Sequence, residues 1–199
     1  MLACAGPSGP MQPRRLEPED TYRHVVTGLE FPERIGAFRR LSVTEYDPDG
    51  YDASGHYGTP VSLGITATIY HYPANATATA PTREAFVAHA ERVSQDVLRS
   101  TPGGEFLEIT STGHTINGFE LTGLHSVFAY DSFRGYNAPV RSHLYLFALG
   151  GWYLKFRFTH PAEIDTAATW QTGDPTTDID GDPRPTTDGT PDFAGADVP

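Results

Sequence analysis

RSHLYLFALGGWYLKFRFTH, residues 141–160, decides the fold. Two apolar runs flank Gly150-Gly151. Glycine tolerates positive φ, so the pair suits the centre of a two-residue hairpin turn of type I′ or II′. A turn there sets Leu149 opposite Trp152, Phe147 opposite Leu154, Tyr145 opposite Phe156 and His143 opposite Phe158. Side chains alternate along a strand, so these eight share one face, and it is almost wholly apolar. The other face carries Leu144, Leu146 and Tyr153 beside Lys155 and Arg157. A one-residue slip would mix the two sets, so the pattern fixes the register. The stretch reads as a central hairpin of a sheet, with its aromatic face in the core.

Upstream, residues 61–72 alternate strictly. Val61, Leu63, Ile65, Ala67 and Ile69 take one side; Ser62, Thr66, Thr68 and Tyr70 take the other. That is a half-buried strand rich in β-branched residues. Residues 82–100 read as a helix. Thr82 can cap it, Glu84 suits the positive end of its dipole, and Phe86, Ala90, Val93 and Val97 form one stripe. Pro102-Gly103-Gly104 stops it. Further strands are expected at 25–31, 40–46, 105–110 and 115–130, the last bending at Gly123. Residues 31–38 read as a loop laying Phe31, Ile35 and Phe38 over the core, and 47–58 as a polar turn.

The chain has 199 residues and a net charge of −11. Residues 161–199 hold nine acids against one base, Arg184, a local −8 that leaves −3 for residues 1–160. The ends, 1–20 and 161–199, are rich in Pro, Gly and charge and read as a disordered leader and an acidic low-complexity tail. One domain over 21–160 remains. Its fold class is α+β: an antiparallel sheet with one main helix on its apolar face, where Phe86, Ala90, Val93 and Val97 are expected to meet the aromatic side of the hairpin.

No basic patch is visible to neutralise phosphates, which argues against a nucleic-acid partner. No apolar run is long enough to span a bilayer. Cys4 is the only cysteine, so no intrachain disulfide can form. Leu2-Ala3-Cys4 resembles the end of a bacterial lipoprotein signal, where small residues precede the cysteine that becomes lipidated. The Pro/Gly/Ser/Gln stretch after it fits a tether. No basic and apolar segment stands before it in this sequence.

Candidate chemistry is thin. Asp47, Asp49 and Asp52 in DPDGYD look like part of a calcium loop but lack its glycine and glutamate positions, so a hairpin turn is the expectation. Asp178, Asp180 and Asp182 fail the same test. The eight histidines stand singly, without metal-ligand spacing. His71 and His143 fall on inward registers and read as buried, hydrogen-bonded imidazoles. His56, His71, Tyr70 and Asp131 would make an acid–base cleft if they met at one sheet end. No nucleophile elbow, phosphate loop or dinucleotide fingerprint is present, and no cofactor is expected.

Strands, then a helix, then more strands and a closing hairpin form an order that resembles the PsbP/Mog1-like group, which includes small bacterial envelope lipoproteins. Phe31-Pro32, Asn117-Gly118 and the LYLF run at 144–147 add to the resemblance. It implies a non-enzymatic binding or assembly factor, with an unidentified protein or small-molecule partner, in the cell envelope or periplasm. A small hydrolase or ligand-binding enzyme with a histidine-containing cleft, or a cytoplasmic protein, is the alternative. That group adds a terminal helix over the sheet. Here His160-Pro161-Ala162 leads into the acidic tail, so the face with Leu144, Leu146, Tyr153, Lys155 and Arg157 is expected to lie open and bind, with Cys4 as a lipidation site.

Overall fold

The computed structural model describes residues 12–17, 20–59, 64–116, 119–133 and 137–164. Cys4, Val61, Leu63, Asn117, Gly118 and the aspartates of the tail lie outside them. The elements are β1 (Arg14–Leu16), β2 (Tyr22–Arg23), β3 (Glu30–Phe31), β4 (Arg34–Ile35), β5 (Phe38–Glu45), β6 (Ala53–Gly58), β7 (Thr66–Pro73), α1 (Arg83–Ser100), β8 (Gly104–Ile116), β9 (Phe119–Tyr130), β10 (Val140–Leu149) and β11 (Trp152–Pro161). The main sheet has nine strands in the order β1-β5-β6-β7-β11-β10-β9-β8, with β4 also on β5. Every pairing is antiparallel. β2 and β3 form a separate small ribbon. This is the α+β class that the sequence implies.

The closing hairpin has the expected register, Leu149↔Trp152 through His143↔Phe158. Gly150 sits at φ +56°, the left-handed conformation that favours glycine. β11 lies between β10 and β7, so the hairpin is at the middle of the sheet. The helix runs as predicted. Thr82 caps it by accepting from Ala85 N at 3.2 Å.

One expectation is corrected. α1 does not lie on the aromatic face; it covers the other one. Ala90 packs with Leu146 and Tyr153, while Val93 and Val97 pack with Phe128, Tyr130, Val140 and Leu144. Burying each such large side chain is worth about 1.5–3 kcal/mol. The aromatic face is instead covered at its β5–β7 end by the N-terminal segments. Phe31 packs on Val43, Ala53 and Ile69. β6 makes room for it: a Cβ at Gly55 would stand 2.9 Å from a Tyr57 ring carbon and 3.1 Å from Phe31.

Two further differences are instructive. β6 replaces part of the expected turn at 47–58. β1 lies within the expected disordered leader, because Arg14 Nε donates to the buried Glu45 carboxylate at 3.0 Å and Leu16 packs beside the Phe31 cluster. At the other end the strand reaches Pro161, paired with Val140.

Candidate functional site

The five residues expected on an open face divide. Leu144, Leu146 and Tyr153 are 2%, 1% and 3% exposed beneath α1. They are core, and the open-face expectation fails because the helix supplies the cover that a terminal helix was expected to give. Lys155 and Arg157 continue along the same side of β11. Lys155, the chain's single lysine, places its ammonium 3.8 Å from the centre of the Tyr70 ring and 5.5 Å from that of Tyr72. Burial pushes it down to about 8, against the opposing attraction of Asp52. Asp52 is pushed up to about 6, by burial first and then by Asp47. Arg157 Nε donates to Ser142 Oγ at 3.2 Å, and its guanidinium lies 5.6 Å from the Phe133 ring. A half-buried amine between two tyrosine rings is held by cation–π attraction of about 0.5–2 kcal/mol.

The acid–base cleft does not assemble. Tyr70 and His71 are consecutive on β7, so they point to opposite faces. His56 Nδ1 meets Thr68 Oγ1 at 3.0 Å on the Tyr70 side. Asp131 is exposed at the end of β9.

Five of the eight histidines gather elsewhere, on the aromatic face. His24 and His71 are 1% and 3% exposed. Thr27 Oγ1 lies 3.0 Å from His24 Nδ1 and 2.9 Å from His71 Nε2, and His24 Nε2 donates to Tyr51 O at 3.0 Å. Both rings pack on Trp152. Burial lowers both imidazoles, His71 to about 4. This group fastens the β2–β3 ribbon to the sheet.

His125, His143 and His160 form a diagonal ladder across β9, β10 and β11. His125 Nε2 is 2.9 Å from His143 Nδ1, and His143 Nε2 is 3.1 Å from His160 Nε2. His160 Nδ1 donates to Pro161 O at 2.7 Å. That carbonyl can only accept, so each ring in turn is set: His160 carries its proton on Nδ1, His143 on Nε2 and His125 on Nε2. The nitrogens bond along the stack instead of converging. Among the described residues no three His, Cys, Asp or Glu side chains are arranged to hold a metal. The ladder was not visible as spacing, although the hairpin register does place residues 143 and 160 on one face.

DPDGYD is a turn built on itself. The Asp47 carboxylate accepts from Asp49 N at 2.9 Å, Tyr51 N at 3.0 Å and Asp52 N. Burial would raise it, but these backbone donors bring it below the usual carboxylate range.

Among the exposed large apolar side chains two groups stand out. Val25, Val26 and Tyr51 are 62%, 52% and 47% exposed where the β2–β3 turn meets the β5–β6 turn. Phe106, Leu107 and Ile109 are 40%, 43% and 41% exposed on β8. Shallow depressions lie on the outer side of α1, at Arg83, Val87 and Glu91, and along 23–28; neither is lined by Lys155 or the ladder. No helix among the described residues is long and apolar enough to cross a membrane.

No family model matches this chain, and no curated protein matches it. Solved structures similar to it include a Pseudomonas aeruginosa protein of unknown function, at 14% identity, TM-score 0.39, covering 83% of this chain and 97% of that one. They also include the Ran-binding protein Mog1p of Saccharomyces cerevisiae, at 13% identity, TM-score 0.35, covering 81% and 82%. Superpositions at this level assign the chain neither a family nor a partner.

Proposed function

We propose that this chain is a non-enzymatic binding or assembly factor that acts through its surface. The observation that carries this reading is the division of its side chains. The histidines of the two aromatic-face groups and the lysine are turned into internal contacts, while large apolar side chains stand open in groups at the β2–β3 turn and along β8. Exposed apolar groups of this kind mark interaction surfaces. The test is recovery of partners from the source cell by the full chain and by a variant carrying Val25→Asp, Tyr51→Ser, Phe106→Ser and Ile109→Asp. A partner bound saturably by the first and lost by the second supports the reading. Equal recovery by both, or none by either, overturns it.

Attachment to the cell envelope through Cys4 belongs to the same proposal and is supported by Leu2-Ala3-Cys4 alone. Labelled palmitate should enter the wild-type chain and not Cys4→Ala; an unlabelled wild type would remove it.

A further inference from the structure

The two ends of the main sheet are unlike. β1 ends it on one side with three residues, Arg14, Arg15 and Leu16, preceded by Pro13. A short, charged strand beside a proline is how an edge is kept from pairing with other chains. β8 ends it on the other side with 13 residues. Among the described residues it has a neighbour on one side only, β9. Residues 105–111 are exposed without a break. A strand at the end of a sheet presents a row of N–H and C=O groups along its outer side, a template for one more strand.

The two faces of β8 differ in chemistry. Phe106 pairs with Phe128, and Ile109 with Ser126, so both lie on the α1 side of the sheet. Phe106 meets Phe128 edge-on at 5.6 Å, and beyond that contact it is open. Glu108 pairs with Val127 and Glu105 with Ala129, so the two carboxylates share the opposite face. Neither has an ion-pair partner among the described residues. The register shifts between Phe106 and Glu108, leaving a regular run from Glu108 onward.

We propose that the outer edge of β8 takes up an extended polypeptide strand in which apolar residues alternate with lysine or arginine. The backbone calls for a strand, because a strand pairs with a row of edge groups through main-chain hydrogen bonds and can take the place of the water on them. The face with Phe106 and Ile109 calls for apolar side chains. The face with Glu105 and Glu108 calls for cations, because opposite charges across strands stabilise and like charges oppose pairing. The same argument disfavours a second copy, whose β8 would bring two more glutamates to a chain of net charge −11. This inference rests on the binding reading above and gives it a partner class.

The probe is a labelled ten-residue peptide of alternating valine and lysine, titrated onto the full chain at 0.15 M salt and followed by anisotropy and amide hydrogen exchange. Saturable binding at one peptide per chain is expected, with slowed exchange confined to β8. A peptide of five valines followed by five lysines has the same composition and charge, and one alternating valine with glutamate has the same pattern. Both should bind at least about tenfold more weakly. Glu108→Lys and Ile109→Lys should each weaken the alternating peptide by a similar factor at unchanged melting temperature. Equal binding of the block peptide, no protection on β8, or indifference to Glu108→Lys overturns the proposal. So does concentration-dependent pairing of the chain with itself through β8. If the peptide fails while a cellular partner is still lost with the Val25 and Tyr51 changes, the edge assignment falls and the wider binding reading stands.

Discussion

His71 stacks on Trp152 with ring centroids 5.0 Å apart, and the two belong to the facing strands β7 and β11. His24 stands edge-on to both. A protonated imidazole would have to be desolvated in this site, which is why His71 is pushed down to about 4.

That shift gives stability a pH dependence of known sign. In the unfolded chain histidine titrates near 6.5; in the fold His71 does so near 4. Between these values the unfolded state holds the extra proton, so stability rises with pH through the window. The contribution of His71 is fully present above about 6.5 and is lost as pH falls toward 4. His71 alone accounts for on the order of 3 kcal/mol. Urea denaturation at pH 7.5 and 4.5 should show the loss. His71→Phe should flatten part of it, leaving the shares due to His143 and His89, which burial also lowers to about 4, and to His24 and His160, which burial lowers too, against an opposite contribution from Asp52, raised to about 6. An equal slope in wild type and variant would contradict this.

Leu146→Ala should cost about 2–5 kcal/mol, as for other buried leucines, and Leu146→Asp should leave no cooperative unfolding transition. Leu146 is 1% exposed against Ala90 and Tyr153. A near-silent Leu146→Asp would mean that α1 does not cover this face in solution.

Because the chain has one lysine, labelling with carbon-13 lysine yields a single side-chain titration. Its midpoint should lie near 8, not near 10.5. Removing the attraction of Asp52 with Asp52→Asn should lower it further. Stability should also rise between pH 8 and 10, since the unfolded chain keeps that proton longer than the folded one. A midpoint above 10 would refute the half-buried setting between Tyr70 and Tyr72.

The ladder predicts a definite tautomer at each rung. Nitrogen-15 spectra near pH 7.5 should show His160 protonated on Nδ1, and His143 and His125 on Nε2. Replacing His160 by glutamine removes the ring that sets the sequence, and His143 should then exchange between tautomers. Unchanged spectra for His143 in that variant would show that Pro161 O does not set it.

Gly55→Ala should destabilise the fold by about 1–3 kcal/mol, because the added carbon meets the Tyr57 and Phe31 rings. Thermal melting of the variant checks this, and an unshifted midpoint would mean that the rings give way freely.

The hairpin register and the helix stripe were legible because glycine, alternation and the 3.6-residue period act locally. The side of the sheet that α1 takes was not. Both faces of β10 and β11 carry apolar residues, and alternation separates two faces without saying which receives a helix. Strand β6 was illegible because its sequence, ASGHYG, is small and polar; Gly55 is there to admit Phe31. Strand β1 was hidden in a Pro-rich leader because its hold is an ion pair to Glu45 and one apolar residue, Leu16, too little to make a pattern. Two residues, Asn117 and Gly118, separate the paired ends Ile116 and Phe119. The pairing of β8 with β9 runs out to those ends, so the strands expected at 105–110 and 115–130 were divided in the wrong place. The open edge could not be read at all. Being last in a sheet is a property of the order in space, and the chain order gives no sign that β8, met midway, ends it.

A sheet with one closed end and one open end has a definite valence. Copies of a chain string into a fibre only if each offers two complementary ends, one for the molecule ahead and one for the molecule behind. Here the far end, among the described residues, is β1, three residues long and carrying two arginines, a poor template for a second strand. Head-to-tail growth of this sheet is therefore disfavoured by its own first strand, and a strand added at β8 would join a chain poorly built to pass the pairing on.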